Sequence, residues 1–165
     1  MTPGTPSTRV GWGFDAHRLD GEPPLRLGGV IVSDAVGVSA TSDGDVLAHA
    51  VTDALLGACA LGDLGEHFPS DDPASVGADS MDLLRRAVAM AAEAGWAAAH
   101  VDATVVVETI RIAPHRREIV SSLGEALSLS PGAISVKATS TDGLGFVGRG
   151  EGLAATALVT AIPLT

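Results

Sequence analysis

A single α/β domain built on a mixed sheet is the fold class this sequence predicts, and three observations lead there. Residues 101–108 and 153–162 follow the two-residue period of strands. Between such stretches lie runs with helical start and stop signals, the longest over residues 45–61. The composition is 46% hydrophobic but only 3% aromatic, with no tyrosine, so small side chains fill the core and bring helices close to the sheet. At 165 residues the chain is one domain by length and buries about 70% of its unfolded surface.

Residues 1–8 are rich in Pro, Thr, Ser and Gly without an apolar run. They read as a disordered tail and not as a signal peptide, leaving residues 9–165 as the domain. Residues 9–15 predict a strand that ends where an aspartate and a histidine appear, and residues 25–32 predict a second strand after Pro23-Pro24. Ser42, followed by Asp45, resembles a capping box that starts a helix running to Leu61 and closed by Gly62. That helix is apolar on nearly every face and therefore buried. Asp45, His49 and Asp53 form one polar stripe along it and need a reason to be there. Residues 62–79 predict an acidic loop punctuated by glycine and proline. Asp79 or Ser80 caps a second helix to Ala94, stopped by Gly95. A strand over 101–108, a helix opened by Pro114 and ending near Leu127, a turn at Pro131-Gly132, and strands over 133–139 and 153–162 complete the order.

The net charge of −10 argues against nucleic acid and anionic membrane surfaces, since phosphate-rich partners need a basic footprint. No stretch reaches the roughly 20 apolar residues of a membrane span. An anionic small molecule stays within reach where metal ions and helix N-termini create local positive potential. The lone Cys59 excludes an intrachain disulfide, fits a reduced cytoplasm, and reads as a small buried hydrophobe.

Asp15 and His17 stand two residues apart and so project from one face of an extended strand. His49, on the predicted helix, closes the set. Two imidazoles and one carboxylate are the donor inventory of a catalytic zinc site whose fourth position stays open to water or substrate. Singly, each residue reads as well as an ordinary interior group; together, donors from separate elements point to a metalloenzyme. Asp45 and Asp53 are candidates to hold the second His49 ring nitrogen in its tautomer. Asp45 reads equally as a first-turn carboxylate against the helix dipole.

A second constellation runs from Lys137 to Gly152. Its three hydroxyls, five glycines and the cations Lys137 and Arg149 suit a loop that cradles phosphate with bare backbone N–H groups. It matches neither the P-loop nor the dinucleotide fingerprint, and the plain alternative is a flexible glycine-rich hairpin. Asp142, among the hydroxyls, suits a magnesium ion held against a diphosphate.

Five ordered blocks carry a resemblance to a known family. They are Gly-x-Gly-Phe-Asp-x-His-Arg from Gly11, Ser-Asp-Gly-Asp-Val-x-x-His from Ser42, and Gly-Asp-Leu-Gly-x-x-Phe-Pro from Gly62. Gly-Ala-Asp-Ser from Gly77 and Lys-Ala-Thr-Ser-Thr-x-x-Leu-Gly-Phe-x-Gly-Arg-Gly-Glu-Gly from Lys137 complete them. Across Arg9 to Ile162 the chain resembles the 2-C-methyl-D-erythritol 2,4-cyclodiphosphate synthases of the non-mevalonate isoprenoid pathway. The resemblance implies a homotrimer whose sheets, each covered by helices on one face, turn the other face to the threefold axis, with active sites between subunits. It implies cyclisation of 4-diphosphocytidyl-2-C-methyl-D-erythritol 2-phosphate with release of CMP.

The resemblance also distributes roles. Asp15, His17 and His49 bind zinc, and Asp142, usually glutamate in the family, serves the Mg²⁺ or Mn²⁺ on the diphosphate. Asp15, Ala16, His17, Thr41 and Ser42 fall at substrate-contacting positions. Asp63, Leu64 and Gly65, with the loop Phe68, Pro69, Ser70, Asp71 and Asp72, correspond to the part that meets the methylerythritol moiety. Val107, Glu108, Thr109, Ile110, Arg111, Ile112 and Ala113 correspond to the cytidine cradle, joined by Thr139, Ser140, Thr141 and Asp142 around the phosphates. Phe146, Arg149 and Glu151 line an axial cavity suited to an isoprenoid diphosphate, the first two also reaching substrate.

Four departures stand out. Thr41 replaces the histidine that in the family helps stabilise the transition state, which leaves Thr41 and Ser140 as the catalytic positions. Ser140 replaces a threonine, Ile110-Arg111 replaces Pro-Lys, and Ser70 replaces an aspartate; none touches the three zinc donors. The nucleophile implied is the substrate's own ionised 2-phosphate, so the lack of any Ser–His–Asp arrangement is consistent. Two rivals remain at this point: a catalytically weakened trimer that binds a diphosphate or isoprenoid, and a zinc hydrolase that yields a linear product.

Overall fold

The strand that starts at Arg9 does not stop at Asp15. In the computed structural model, which describes residues 8–164, β1 runs Arg9–Gly21 and carries Asp15 and His17 in its middle. The tail expected over residues 1–8 lies, but for Thr8, outside the described residues. Distant partners set the length of β1. The last strand, β7 (Gly152–Pro163), pairs with it antiparallel from Arg9↔Ala161 to Arg18↔Gly152, and the unforeseen β4 (Gly37–Ser39) takes up its other edge. β5 (Trp96–Val106) continues the sheet antiparallel to β7, and β6 (Ile134–Thr139) lies parallel to β5, giving the order β4-β1-β7-β5-β6. A parallel pair requires a crossover, which α4 (Arg116–Leu127) supplies. The mixed sheet expected from the sequence is present.

Local corrections have local causes. Residues 25–32 form a hairpin, β2 (Leu25–Leu27) and β3 (Val30–Ser33), and not one strand. Gly28 and Gly29 between them take φ of +58° and +80°, as a type I′ two-residue turn requires. β5 begins earlier than the alternation shows, because Ala97, Ala98 and Ala99 carry no period. α1 (Val46–Cys59) is capped by Asp45 and not Ser42, and it ends on left-handed Ala60 and not on Gly62. The acidic stretch after it contains α2 (Leu64–His67), capped by Asp63, and a 3₁₀ turn at Pro73–Ser75. α3 (Ser80–Glu93) follows Asp79, whose carboxylate accepts from the Met81 and Asp82 N–H groups. The glycine-rich segment holds a short helix, α5 (Gly145–Gly148), where a plain hairpin was the alternative.

The helices cover one face of the sheet, α1 against β1 and β7, α3 against β5, and α4 against β6. Along β1 the covered positions are Gly11, Gly13, Asp15 and His17. A Cβ on Gly11 would sit 1.9 Å from the Ala54 carbonyl oxygen, and one on Gly13 2.0 Å from that of Ala50. The α1 backbone therefore rides directly on the strand, and small faces small. Leu47, Leu55, Leu84, Ile119 and Leu123 are fully buried in the core between helices and sheet, each worth about 2 kcal/mol in apolar burial. Cys59 is free and buried, as expected.

Among the described residues, none of the long helices packs on the opposite face of the sheet. Val10, Trp12 and Phe14 of β1 and Leu158 and Ile162 of β7 stand exposed there, Trp12 by 63% and Phe14 by 50%. The two aromatic rings stack on each other with centroids 6.2 Å apart. No helix of the described residues is long and apolar enough to cross a membrane.

Candidate metal centre and adjoining clefts

Close contact between Gly13 and Ala50 carries the first turns of α1 past Asp15 and His17, so that His49 meets both. Asp15 Oδ2 lies 2.8 Å from His49 Nδ1 and 3.2 Å from His17 Nε2, and the two imidazoles meet edge to face. One donor atom from each residue lies within 4.8 Å of the other two. Among the described residues His17 Nε2 is buried without a hydrogen-bond partner. A dry, unfilled nitrogen beside a carboxylate and a second imidazole is what a metal ion would complete. The three donors proposed from the sequence are thus brought together.

Burial lowers the pKa of His17 below its ordinary value, against the opposing charge of Asp15. At His49 burial acts in the same direction, but the hydrogen bond and charge of Asp15, with the charges of Asp45 and Asp43, outweigh it and hold the pKa above its ordinary value. A metal ion and a proton therefore compete for His49 Nδ1.

Asp45 and Asp53 do not hold the second nitrogen of His49. Asp45 is fully buried because it welds the β2–β3 turn to α1: it accepts from Gly28 N–H (2.9 Å), Gly29 N–H (2.7 Å) and Ala48 N–H (2.9 Å). Burial nevertheless pushes its carboxyl pKa up. The capping alternative is the one realised. Asp53 accepts from Leu64 N–H at 2.7 Å, anchoring α2. His49 Nε2 instead faces Ser80 Oγ at 2.8 Å and Ser42 Oγ at 3.2 Å. The sequence shows Ser80 only as a helix-start residue, because its partner lies far away along the chain.

The cluster opens into a cavity of about 220 Å³ lined by Thr41, Ser42, Leu64, Phe68 and Ser70, together with Ala40, Ser75 and Leu83, which the sequence did not single out. Asp63, Gly65, Pro69, Asp71 and Asp72 do not line it. Asp63 caps α2, and Asp72 N–H donates to Pro69 O to close the turn. A second cleft of about 270 Å³ is lined by Val107, Ile110, Arg111, Ile112 and Ala113, facing Thr139 and Ser140, with Arg116 added at the start of α4. Glu108, Thr109, Thr141 and Asp142 are not among its lining residues. Glu108 serves as the tie, accepting from Thr141 N–H at 3.1 Å, while Val107 N–H donates to Thr139 O at 3.0 Å. Asp142 sits exposed on the turn beyond, at a φ of 55°. Phe146 and Glu151 line a third cavity with Ala16, His17 and Arg18; Arg149 does not line it, but pairs with Glu151 at 2.8 Å.

Fold and site together define a class: a mixed α/β domain carrying a two-histidine, one-carboxylate metal-binding cluster on the seam between a strand and a helix. The chain belongs to the YgbB family, whose model matches residues 8–162. It is 51% identical over 152 residues to the 2-C-methyl-D-erythritol 2,4-cyclodiphosphate synthase of Halorhodospira halophila, covering 92% of this chain and 93% of that one. The same-named protein of Salinibacter ruber is 53% identical, with 92% and 97% covered. Among solved structures, the bifunctional IspDF of Campylobacter jejuni superposes with a TM-score of 0.92 at 39% identity over 95% of this chain, which spans only 42% of that longer protein. IspF of Plasmodium falciparum, solved as a CDP complex, superposes with a TM-score of 0.84 at 30% identity, covering 98% of this chain and all of that one.

Proposed function

We propose that this chain is a metal-dependent cyclising lyase. It converts 4-diphosphocytidyl-2-C-methyl-D-erythritol 2-phosphate to 2-C-methyl-D-erythritol 2,4-cyclodiphosphate and CMP. The observation that carries the reading is the Asp15, His17 and His49 cluster opening into a cavity, in a chain matched along its length by synthases of that name. Asp15, His17 and His49 hold zinc, and Asp142 with the neighbouring hydroxyls holds Mg²⁺ or Mn²⁺. Bound there, the cations supply Lewis-acid charge to the diphosphate. The substrate 2-phosphate oxygen bonds to the β-phosphorus as the bond from that phosphorus to the CMP oxygen breaks. The nucleophile arrives ionised, so no side chain has to remove a proton. Thr41 presents a neutral hydroxyl to the cavity in place of a charge, Ser140 presents another in the second cleft, and Arg111 and Arg116 bring positive charge there.

Neither cleft alone reaches the roughly 300 Å³ at which ligand pockets begin, and no residue lines both. A second copy supplies the other half: the metal cleft of one subunit meets the nucleotide cleft of its neighbour in a homotrimer. The exposed Val10, Trp12, Phe14, Leu158 and Ile162 face supports this, since an apolar sheet surface needs cover. The third cavity, with Arg18 as its cation, then lies toward the threefold axis and suits an isoprenoid diphosphate. The acidic surface leaves nucleic acid and membranes outside the set of partners, and a reduced Cys59 suits the cytoplasm.

A phosphorus NMR time course with the cytidyl diphosphate substrate, Mg²⁺ and zinc tests the reaction. A cyclic diphosphate appearing together with CMP supports it; a linear product indicates a hydrolase, and an unchanged spectrum with zinc-loaded protein indicates a ligand-binding relative. Trp12→Asp is expected to convert the trimer to monomers by light scattering and to abolish CMP release while zinc stays bound, because each monomer keeps its metal cluster but loses half its site. Asp142→Asn is expected to raise the Mg²⁺ concentration for half-maximal rate about tenfold, roughly one lost charge contact, with zinc content unchanged by atomic absorption.

A further inference from the structure

We infer that Ser80 and Asp43 form a hydrogen-bonded relay that accepts the His49 Nε2–H and holds the ring with Nδ1 turned toward the metal position. This deepens the metal-site reading and rests on it. Ser80 is fully buried at the first position of α3, with its Oγ 2.8 Å from His49 Nε2. The same hydroxyl lies within hydrogen-bond distance of Asp43 Oδ1, and Asp43 Oδ2 accepts from the Ser80 backbone N–H at 3.2 Å. Asp43 is itself fixed, its N–H donating to Ala78 O at 3.1 Å and its Oδ1 accepting from Asp45 N–H at 3.3 Å.

The direction of the relay follows from counting protons. An ionised carboxylate only accepts, so the single hydroxyl proton of Ser80 goes to Asp43. Ser80 Oγ is left with lone pairs toward His49, so Nε2 carries a proton and donates it. Ser42 Oγ, at 3.2 Å, is the longer second acceptor for that proton. Nδ1 is then the nitrogen a metal ion would take; with no metal there it donates to Asp15 Oδ2 at 2.8 Å, beside the His17 ring. A carboxylate acting through a hydroxyl performs the orienting work that a carboxylate more often performs directly on a metal-bound histidine. Ser80 and Asp43 are positioning residues: neither is among the cluster's donors, and neither lines the cavity.

Two variants separate this from a merely structural role. Ser80→Ala removes the acceptor while Asp79 still caps α3; zinc affinity in a chelator competition is expected to fall about 10–100-fold. Asp43→Asn goes further. The Ser80 N–H claims the amide oxygen, the amide NH₂ then faces Ser80 Oγ, and the hydroxyl proton is turned toward His49. Proton NMR of the zinc-loaded chain is expected to show the His49 Nε2–H protected from exchange in the wild-type chain and exchanging rapidly in both variants. A rapidly exchanging Nε2–H in the zinc-loaded wild-type chain, or undiminished zinc affinity in either folded variant, overturns the assignment. A wild-type chain that shows the protected Nε2–H and the expected affinities yet leaves the substrate uncyclised removes the proposed reaction and leaves the relay standing.

Discussion

His49→Ala is expected to strip the chain of zinc and to lower CMP release by about three to four orders of magnitude, some 4–5.5 kcal/mol of barrier. The effect is large because His49 is the donor that joins two elements. Asp15 and His17 share one strand, whereas His49 comes from α1, and without it the remaining pair offers two donors where a stable site needs three. The fold is expected to survive, since alanine is at home among the buried Ala48 and Ala50. Circular dichroism should therefore stay close to that of the wild-type chain while metal analysis reads near zero. Full zinc occupancy in this variant would refute the ligand assignment.

Gly13→Ala is expected to damage the same site from outside it. Its new methyl would lie 2.0 Å from the Ala50 carbonyl oxygen and 2.8 Å from the Ala54 nitrogen, both backbone atoms that no rotamer change can move aside. The helix has to lift off the strand. Overpacking of this kind costs about 3 kcal/mol, which in a chain of this length lowers the melting temperature by about 6–12 °C. Lifting α1 also draws His49 away from Asp15 and His17, so zinc affinity is expected to fall with stability. A control substitution at Gly132, where a Cβ meets nothing within 4 Å, should change neither. Unaltered zinc affinity in Gly13→Ala would show that the strand–helix contact does not set the donor geometry.

Much of this architecture was legible before any coordinates. The apolar run around Leu47, Leu55 and Leu56 announces a buried helix, and the alternation in 153–162 announces a strand, because both signals are local periods. Signals that depend on a distant partner were not legible. β1 continues past Asp15 only because β7 and β4 offer it hydrogen bonds, and three-residue β4 is too short to show a period. Asp45 and Asp53 looked like partners for His49 because they share its helical stripe. They turned out to bond backbone N–H groups of Gly28, Gly29 and Leu64, residues the stripe says nothing about.

By itself the sequence determined the inventory: two imidazoles, a carboxylate, a hydroxyl- and glycine-rich loop, and enough alanine and glycine to let backbones touch. It also determined the motifs that place the chain in its family. Tertiary structure alone decided that Gly11 and Gly13 face Ala54 and Ala50, that Ser80 and not Asp45 meets His49 Nε2, and that the two clefts share no residue. The physical reason is the range of the forces involved. Residue type and spacing fix which groups a strand or helix presents, whereas which two groups meet across 31 or 34 residues of chain depends on how closely one backbone packs on another.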